Sequence, residues 1–202
     1  MQQDHTIHHR PIRSYVRREG RITPAQRRAL DELWPRFGLN ANASIDIGKV
    51  FGREAMTIVE VGFGNGGALL QMAQENPEKN YIGIDTHRPG AGRLLLQLAE
   101  LEIKNVRVMC EDAKLIFEKS FIPCSIDTVL IFFPDPWHKK RHHKRRLIQT
   151  DFVKSTVRAI KRGGRIHIAT DWQDYAEHIM QVLSDEAALE NYARSEQYSL
   201  RP

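Results

Sequence analysis

Cysteine is scarce: there are two in 202 residues, Cys110 and Cys124, and no CxxC spacing. That excludes a disulfide-stapled scaffold and cysteine-based zinc or redox motifs. Each cysteine lies in or beside an apolar segment, which predicts buried thiols in a reducing cytosol. Long apolar runs are missing too, and the polar front, with His5, His8, His9 and Arg10, carries no signal-peptide pattern. Neither a membrane span nor secretion is therefore expected, and the predicted location is cytoplasmic. Internal repeats and low-complexity tracts are absent. Lysine is absent from residues 1–36, where eight arginines accompany four acids, while residues 171–202 hold seven acids and two arginines.

What is present is 41% apolar residues at a mean hydropathy of −0.48, a soluble globular composition of a length that suits one domain with a sizeable core. Net charge is +5 with a pI near 9.3, and the excess is concentrated. Lys139 to Arg146 supplies six Lys/Arg and two His in eight residues, too dense for charge that serves solubility alone. Four arginines surround Tyr15 between Arg13 and Arg21, among them Arg17 and Arg18. Arginine grips phosphate bidentately and tyrosine stacks on bases, so both segments point to a polyanion such as nucleic acid.

Along the chain, residues 1–12 lack periodicity and are expected to be disordered. Thr23-Pro24-Ala25-Gln26 starts a helix with a capping box, and Leu30, Leu33, Trp34 and Phe37 mark its packing face. From Met56 the pattern alternates. Strands are expected over 57–61, 81–85, 106–110, 128–133 and 165–170. Helices are expected over 68–75, 91–101, 113–118, 150–160 and 172–184. Such alternation at short spacing specifies an α/β fold, a mostly parallel doubly wound sheet with helices on both faces. We divide the chain into a basic arm and capping helix over 1–38 and an α/β domain over 39–202.

The first strand runs into Gly62-Phe63-Gly64-Asn65-Gly66-Gly67 and then a helix, the nucleoside and dinucleotide signature. Gly62, Gly64 and Gly66 permit a tight turn and close backbone approach. Asp85, ending the second strand, is placed to accept from two ribose hydroxyls. NAD and S-adenosylmethionine both fit to this point. Glu60, two residues before the first glycine, would repel a pyrophosphate and attract the ammonium of a methionine moiety. Asp112, after the third strand, would accept from an adenine amino group. The ligand therefore reads as S-adenosylmethionine, with S-adenosylhomocysteine as product.

The fourth strand stops at Pro134-Asp135-Pro136, because neither proline can donate to a ladder. Asp135 is thus held in a stiff turn at a carboxyl end, where open parallel sheets bind ligands. His138 and His142 are four apart, but the flanking cations would repel a metal ion, and no metal is expected.

Together, Ile12-Arg-Ser-Tyr-Val-Arg-Arg-Glu-Gly-Arg21, Glu60-Val-Gly-Phe-Gly-Asn-Gly66, Gly83-Ile-Asp-Thr-His87, Phe132-Phe-Pro-Asp-Pro-Trp-His-Lys139 with Lys144-Arg-Arg146, and Ala169-Thr-Asp-Trp172 resemble the bacterial tRNA (guanine-N7-)-methyltransferase family. The resemblance implies a Rossmann-like class I methyltransferase fold and methyl transfer from S-adenosylmethionine to N7 of a guanine in the tRNA variable loop. It implies that Glu60, Asp85 and Asp112 bind the cofactor. Asp135 would be the catalytic carboxylate and would also border the cofactor, and Lys139 and Asp171 would contact the RNA. No obligate protein partner is inferred. The family continues with a Thr-x-x-Glu segment and further strands beyond the equivalent of Pro202, so the C-terminal end is read as incomplete. Two other readings stay open: an amino-methyltransferase acting on an exocyclic nitrogen of another base, and a non-catalytic RNA-binding module with a vestigial nucleoside pocket.

If the arginine arm contacts phosphates, tRNA affinity should fall by about 0.7 to 0.9 log units per log unit of salt for each phosphate neutralised. Replacing Arg17, Arg18 and Arg21 together should flatten that slope and leave cofactor binding alone. A triple variant with the wild-type slope would make the arm structural.

Overall fold

The computed structural model describes residues 20–193 and Tyr198. Tyr15, Arg17 and Arg18 lie outside the described residues. Five strands, β1 Thr57–Val61, β2 Asn80–Ile84, β3 Val106–Met109, β4 Ile126–Phe132 and β5 Ile160–Ala169, form one sheet in the order β3-β2-β1-β4-β5. Every pairing is parallel. The chain steps outward from β1 to β3, then returns to the other side of β1 for β4. The switch point therefore falls between the carboxyl ends of β1 and β4, where such sheets open a crevice.

The helices are α1 Pro24–Glu32, α2 Trp34–Phe37, α3 Ile47–Phe51, α4 Gly67–Glu75, α5 Arg88–Glu100, α6 Ala113–Lys119, α7 Thr150–Ala159 and α8 Gln173–Ser184. A 3-10 helix covers Lys140–Arg145. The sheet separates two apolar clusters, as its side-chain alternation requires. Val59, Ile82, Ile84, Val129 and Ile131 pack with α6, α7 and α8, whereas Ile58, Tyr81, Val108 and Leu130 pack with α1, α4 and α5. All five residues of β1 are buried.

Thr23 caps α1 through its side chain and Gln26 returns the bond, which is the capping box that the sequence shows. The expected single helix is split at Leu33: Pro35 has no N–H to give to the carbonyl four residues back, so α1 closes and α2 starts afresh. α5 begins three residues earlier than expected, with Pro89 in its first turn. β5 begins earlier as well. Lys161 to Gly164, which fall between the helix expected to end at 160 and the strand expected from 165, form an irregular stretch between the pairs Ile126↔Ile160 and Thr128↔Arg165, with Gly163 at φ +79°. The expectation of two buried thiols is corrected: Cys110 is half-buried and Cys124 is exposed, sitting in a turn at φ +55°. No helix among the described residues is long and apolar enough to cross a membrane.

Asp127 ties the amino ends of three strands. Its Oδ2 accepts from Thr57 N–H at 2.8 Å and from Lys161 Nζ at 2.9 Å. Thr57 is buried, so Asp127→Ala strands its N–H without an acceptor and should lower unfolding free energy by about 1–3 kcal/mol. Asp127→Asn keeps an acceptor and should cost less. Equilibrium urea unfolding of the three proteins checks the ranking.

Candidate active site

The parallel register brings the expected acids to one edge. Reading across the sheet, Asp112 follows β3, Asp85 follows β2, Glu60 is the penultimate residue of β1, Asp135 follows β4 and Asp171 follows β5. The acids lie far apart in sequence and become neighbours only through the strand order.

Glu60 is the most constrained of them. It is 4% exposed, pairs in register with Gly83 of β2 and Leu130 of β4, and its Oε2 has no hydrogen-bond partner. Burial, and then the charge of Asp85, push its carboxyl up from 4.5 to about 7. A buried acid with an orphaned oxygen at a strand exit is a receptor for a cation or a donor. A pyrophosphate there would meet the wrong sign.

The glycine loop is held open around it. Gly62, Gly64 and Gly66 adopt φ of +83°, +59° and +78°, the left-handed region that favours glycine. A Cβ on Gly62 or Gly64 would meet nothing within 4 Å, so the Cα side of each is open to an incoming ligand, whereas Gly66 packs against Leu94. Gly66 caps α4 without a side-chain bond, which leaves that helix's first N–H groups for an anion. Asp85 holds the loop in place: its Oδ2 accepts from Gly64 N–H at 2.8 Å and its Oδ1 from His87 N–H at 2.8 Å. Each oxygen keeps a lone pair for a further donor such as a ribose hydroxyl. Asp112 caps α6, its Oδ1 accepting from Lys114 N–H at 3.0 Å. A cleft of about 340 Å³ next to it is lined by Trp34, Leu39, Asn40, Cys110 and Glu111.

Sequence reading missed Gly90. A Cβ there would fall 1.9 Å from the Gly64 carbonyl oxygen, so α5 and the glycine loop touch backbone to backbone. The signal lies in Gly-Ala-Gly over 90–92, a stretch at the edge of the helix expected over 91–101. The arm joins the site from the same side: a Cβ on Gly20 would lie 3.5 Å from His87 Nε2. Arg21 follows and is exposed.

The basic segment divides into two parts. Lys139, Lys140, Arg141, Lys144 and Arg145 are at the surface or partly so, and His142 is biased toward its neutral form by desolvation and by the neighbouring Arg141 and Arg145. Arg146, expected to join this cationic face, is 1% exposed and turned inward. Its Nε donates to Pro136 O at 3.0 Å, its guanidinium bonds Asp174, lies 3.1 Å from His143 Nε2 and covers the Tyr175 ring at 4.8 Å. The Arg146 hydrogen bond holds the Asp174 carboxyl below the usual carboxylate range. Arg146 is therefore a strut between the Pro134–Pro136 turn and α8, and sequence could not separate it from its neighbours. Trp137, which a base-stacking role would need free, sits at φ +49° with Arg145 5.0 Å above its ring and His142 against its edge. His167 packs edge-on to Phe132 as a sheet-face residue.

A family model described as "Putative methyltransferase" matches residues 54–202. The tRNA (guanine-N(7)-)-methyltransferase of Idiomarina loihiensis is 48% identical over 96% of this chain and 79% of its own length. The protein of the same name from Nitrosococcus oceani is 50% identical over 96% of this chain and 82% of its own. Among solved structures, an antibiotic-related methyltransferase superposes with a TM-score of 0.54 at 16% identity, over 74% of this chain and 77% of its own. A SAM-dependent O-methyltransferase from Thermotoga maritima gives a TM-score of 0.50 at 16% identity, over 69% and 47%. These two likenesses concern the fold, a parallel sheet of Rossmann-like type.

The raised carboxyl of Glu60 sets a pH signature in the free protein. Because its folded value of about 7 lies above 4.5, the native state binds the extra proton between these limits. Stability from this group is complete below about pH 4.5 and is lost as pH rises toward and through 7, by at most roughly 3 kcal/mol. Glu60→Gln cannot titrate, so its thermal midpoint should fall less than that of the wild type between pH 5 and 8. Parallel curves would mean that Glu60 stays ionised throughout.

Proposed function

The chain belongs to the bacterial tRNA (guanine-N7-)-methyltransferase family, and on that premise we propose that it carries a methyl group from S-adenosylmethionine to N7 of a guanine in the tRNA variable loop. The observation that carries the cofactor reading is the buried, unpartnered Glu60 oxygen beside the open Cα faces of Gly62 and Gly64. An ammonium on the methionine moiety satisfies that oxygen, and the open N–H groups at the start of α4 suit its carboxylate. Asp85 and Asp112 then receive the ribose hydroxyls and the adenine amino group, with Gly62 and Gly64 clearing the way and Gly66 starting α4 against Leu94. The work of methylation takes place in the cytoplasm, where tRNA is found.

Bound S-adenosylmethionine supplies a methyl carbon made electrophilic by its sulfonium. Guanine N7 has a lone pair and no proton, so the protein's task is alignment and exclusion of water rather than base catalysis. Asp135 is exposed at the exit of β4, in a turn stiffened by Pro134 and Pro136 and tied through the Pro136 carbonyl to Arg146. It accepts from guanine N1–H and the N2 amino group, and its charge favours the cation that develops on the ring. Lys139 and Asp171, both exposed on the neighbouring loops, contact the RNA, with Arg17, Arg18 and Arg21 on its phosphates. Arg146 is withheld from this surface by its burial.

Labelled S-adenosylmethionine and unmodified bulk tRNA, followed by nucleoside analysis, test the reading. The label is expected in 7-methylguanosine; its appearance on an exocyclic amine, or in no nucleoside, overturns it. Asp135→Asn should keep the thermal midpoint and cofactor affinity and lose about 10²–10³ in single-turnover rate. The wild-type rate should show no basic limb between pH 6.5 and 8.5, well above a carboxylate's usual value of about 3.9. A limb in that window that the substitution removes would make Asp135 a general base and move the chemistry to a nitrogen bearing hydrogen.

A further inference from the structure

Packing does not account for Phe133. The apolar run from Thr128 predicts it inside the sheet, yet β4 ends at Phe132 and Phe133 stands 58% exposed. Its φ is +50°, uncommon for any residue but glycine and an outlier for a bulky side chain. Pro134 follows and narrows its conformations further. The backbone is nevertheless pinned there, because Phe133 N–H donates to Ala169 O at 2.8 Å, at the end of β5.

So the chain accepts strain in order to turn an aromatic ring out of the core, two residues before Asp135 and between the exits of β4 and β5. Strain of this kind persists where the surroundings over-determine it, and it concentrates at sites that handle ligands. The other aromatics of this edge are engaged. Trp137 lies under Arg145, and the Trp172 ring, 41% exposed, packs against His138 at 4.2 Å between centroids. Among the described residues, no aromatic or cationic group packs on the Phe133 ring.

We propose that Phe133 is the stacking face for the target guanine once that base has left its own stack, an assignment that rests on the function proposed above. Every base has a π-face, and proteins that take a base out of a nucleic acid hold it against an aromatic ring while hydrogen bonds read its edge. Phe133 supplies the ring and Asp135 supplies the acceptor for the edge. A hydrophobe spent outside the core, on a residue whose backbone would relax without it, gives the two roles of Phe133 opposite signs in stability and in activity.

The test uses the full chain, labelled S-adenosylmethionine and an unmodified tRNA transcript, with single-turnover rates measured as tRNA is varied. Phe133→Ala should lose about 5- to 150-fold in the rate at limiting tRNA, the loss of one base–aromatic stack. Phe133→Trp should stay within about threefold of the wild type. Phe133→Gly, free to adopt the left-handed conformation, should lose the same activity as the alanine variant with a thermal midpoint equal to or above that of the wild type. Cofactor affinity by calorimetry should be unchanged in all three. Methylation by Phe133→Ala at the wild-type rate overturns the stacking assignment and leaves the function of the wild type intact. A drop in the midpoint of Phe133→Gly together with loss by Phe133→Trp overturns it too, because Phe133 would then be a packing residue. Failure of the wild type itself to form 7-methylguanosine would instead remove the function on which the assignment rests.

Discussion

Burying a parallel sheet on both faces leaves the strand ends as the places where polar groups meet solvent and ligand, and the rest of this molecule depends on that constraint. The two faces are filled by separate apolar clusters. Helices cover both, so backbone N–H and C=O groups are consumed in ladders and helix turns. What remains is the carboxyl edge, where five strand exits carry five acids in spatial order. Four of the acids lie just beyond a strand. Glu60 alone lies within one, and it is consequently the acid that burial alters most, with an orphaned oxygen and a carboxyl raised to about 7.

The cationic side of the site obeys a complementary rule. A run of like charges is tolerated only if most of it reaches water, and five of the six Lys/Arg between Lys139 and Arg146 do so in whole or part. The sixth is inside, and it is there because its guanidinium finds partners: a carbonyl, a carboxylate, an imidazole and a tyrosine ring. A buried guanidinium without such partners would be strongly unfavourable. Its bond to the Pro136 carbonyl makes the turn that carries Asp135 part of the body of the domain. The Asp135 carboxylate is exposed, but the backbone beneath it is anchored to α8.

Backbone strain marks the same turn. Phe133 and Trp137 bracket Pro134-Asp135-Pro136, and both adopt positive φ without being glycine. Two left-handed residues four apart, flanking two prolines, leave the intervening carboxylate little freedom of direction. Stability is given up locally to hold a geometry, and the compensating terms are the Phe133 N–H bond to Ala169 and the Arg146 strut.

Much of this was legible in the residues. The strand–helix alternation from Met56, the capping box at Thr23, the glycine loop and the double proline after β4 each have a local cause, periodicity or missing N–H, that acts over a few residues and needs no tertiary information. For the same reason the alternation was enough to specify a parallel sheet, and the acids at its strand ends could be named. Other features are settled only by contacts between distant segments. Gly90 matters because the Gly64 carbonyl lies against it, and Arg146 differs from Arg145 because Pro136, Asp174 and Tyr175 surround it. The same holds for the exposed ring of Phe133, which continues an apolar run in sequence and leaves it in space where its backbone turns to φ +50° with its N–H still held by Ala169. Sequence by itself determined which groups stand at the ends of the strands. Tertiary structure decided which of them face the crevice, which are bound into the frame and which are held under strain, because burial, charge pairing and backbone strain are properties of neighbours that the chain acquires only on folding.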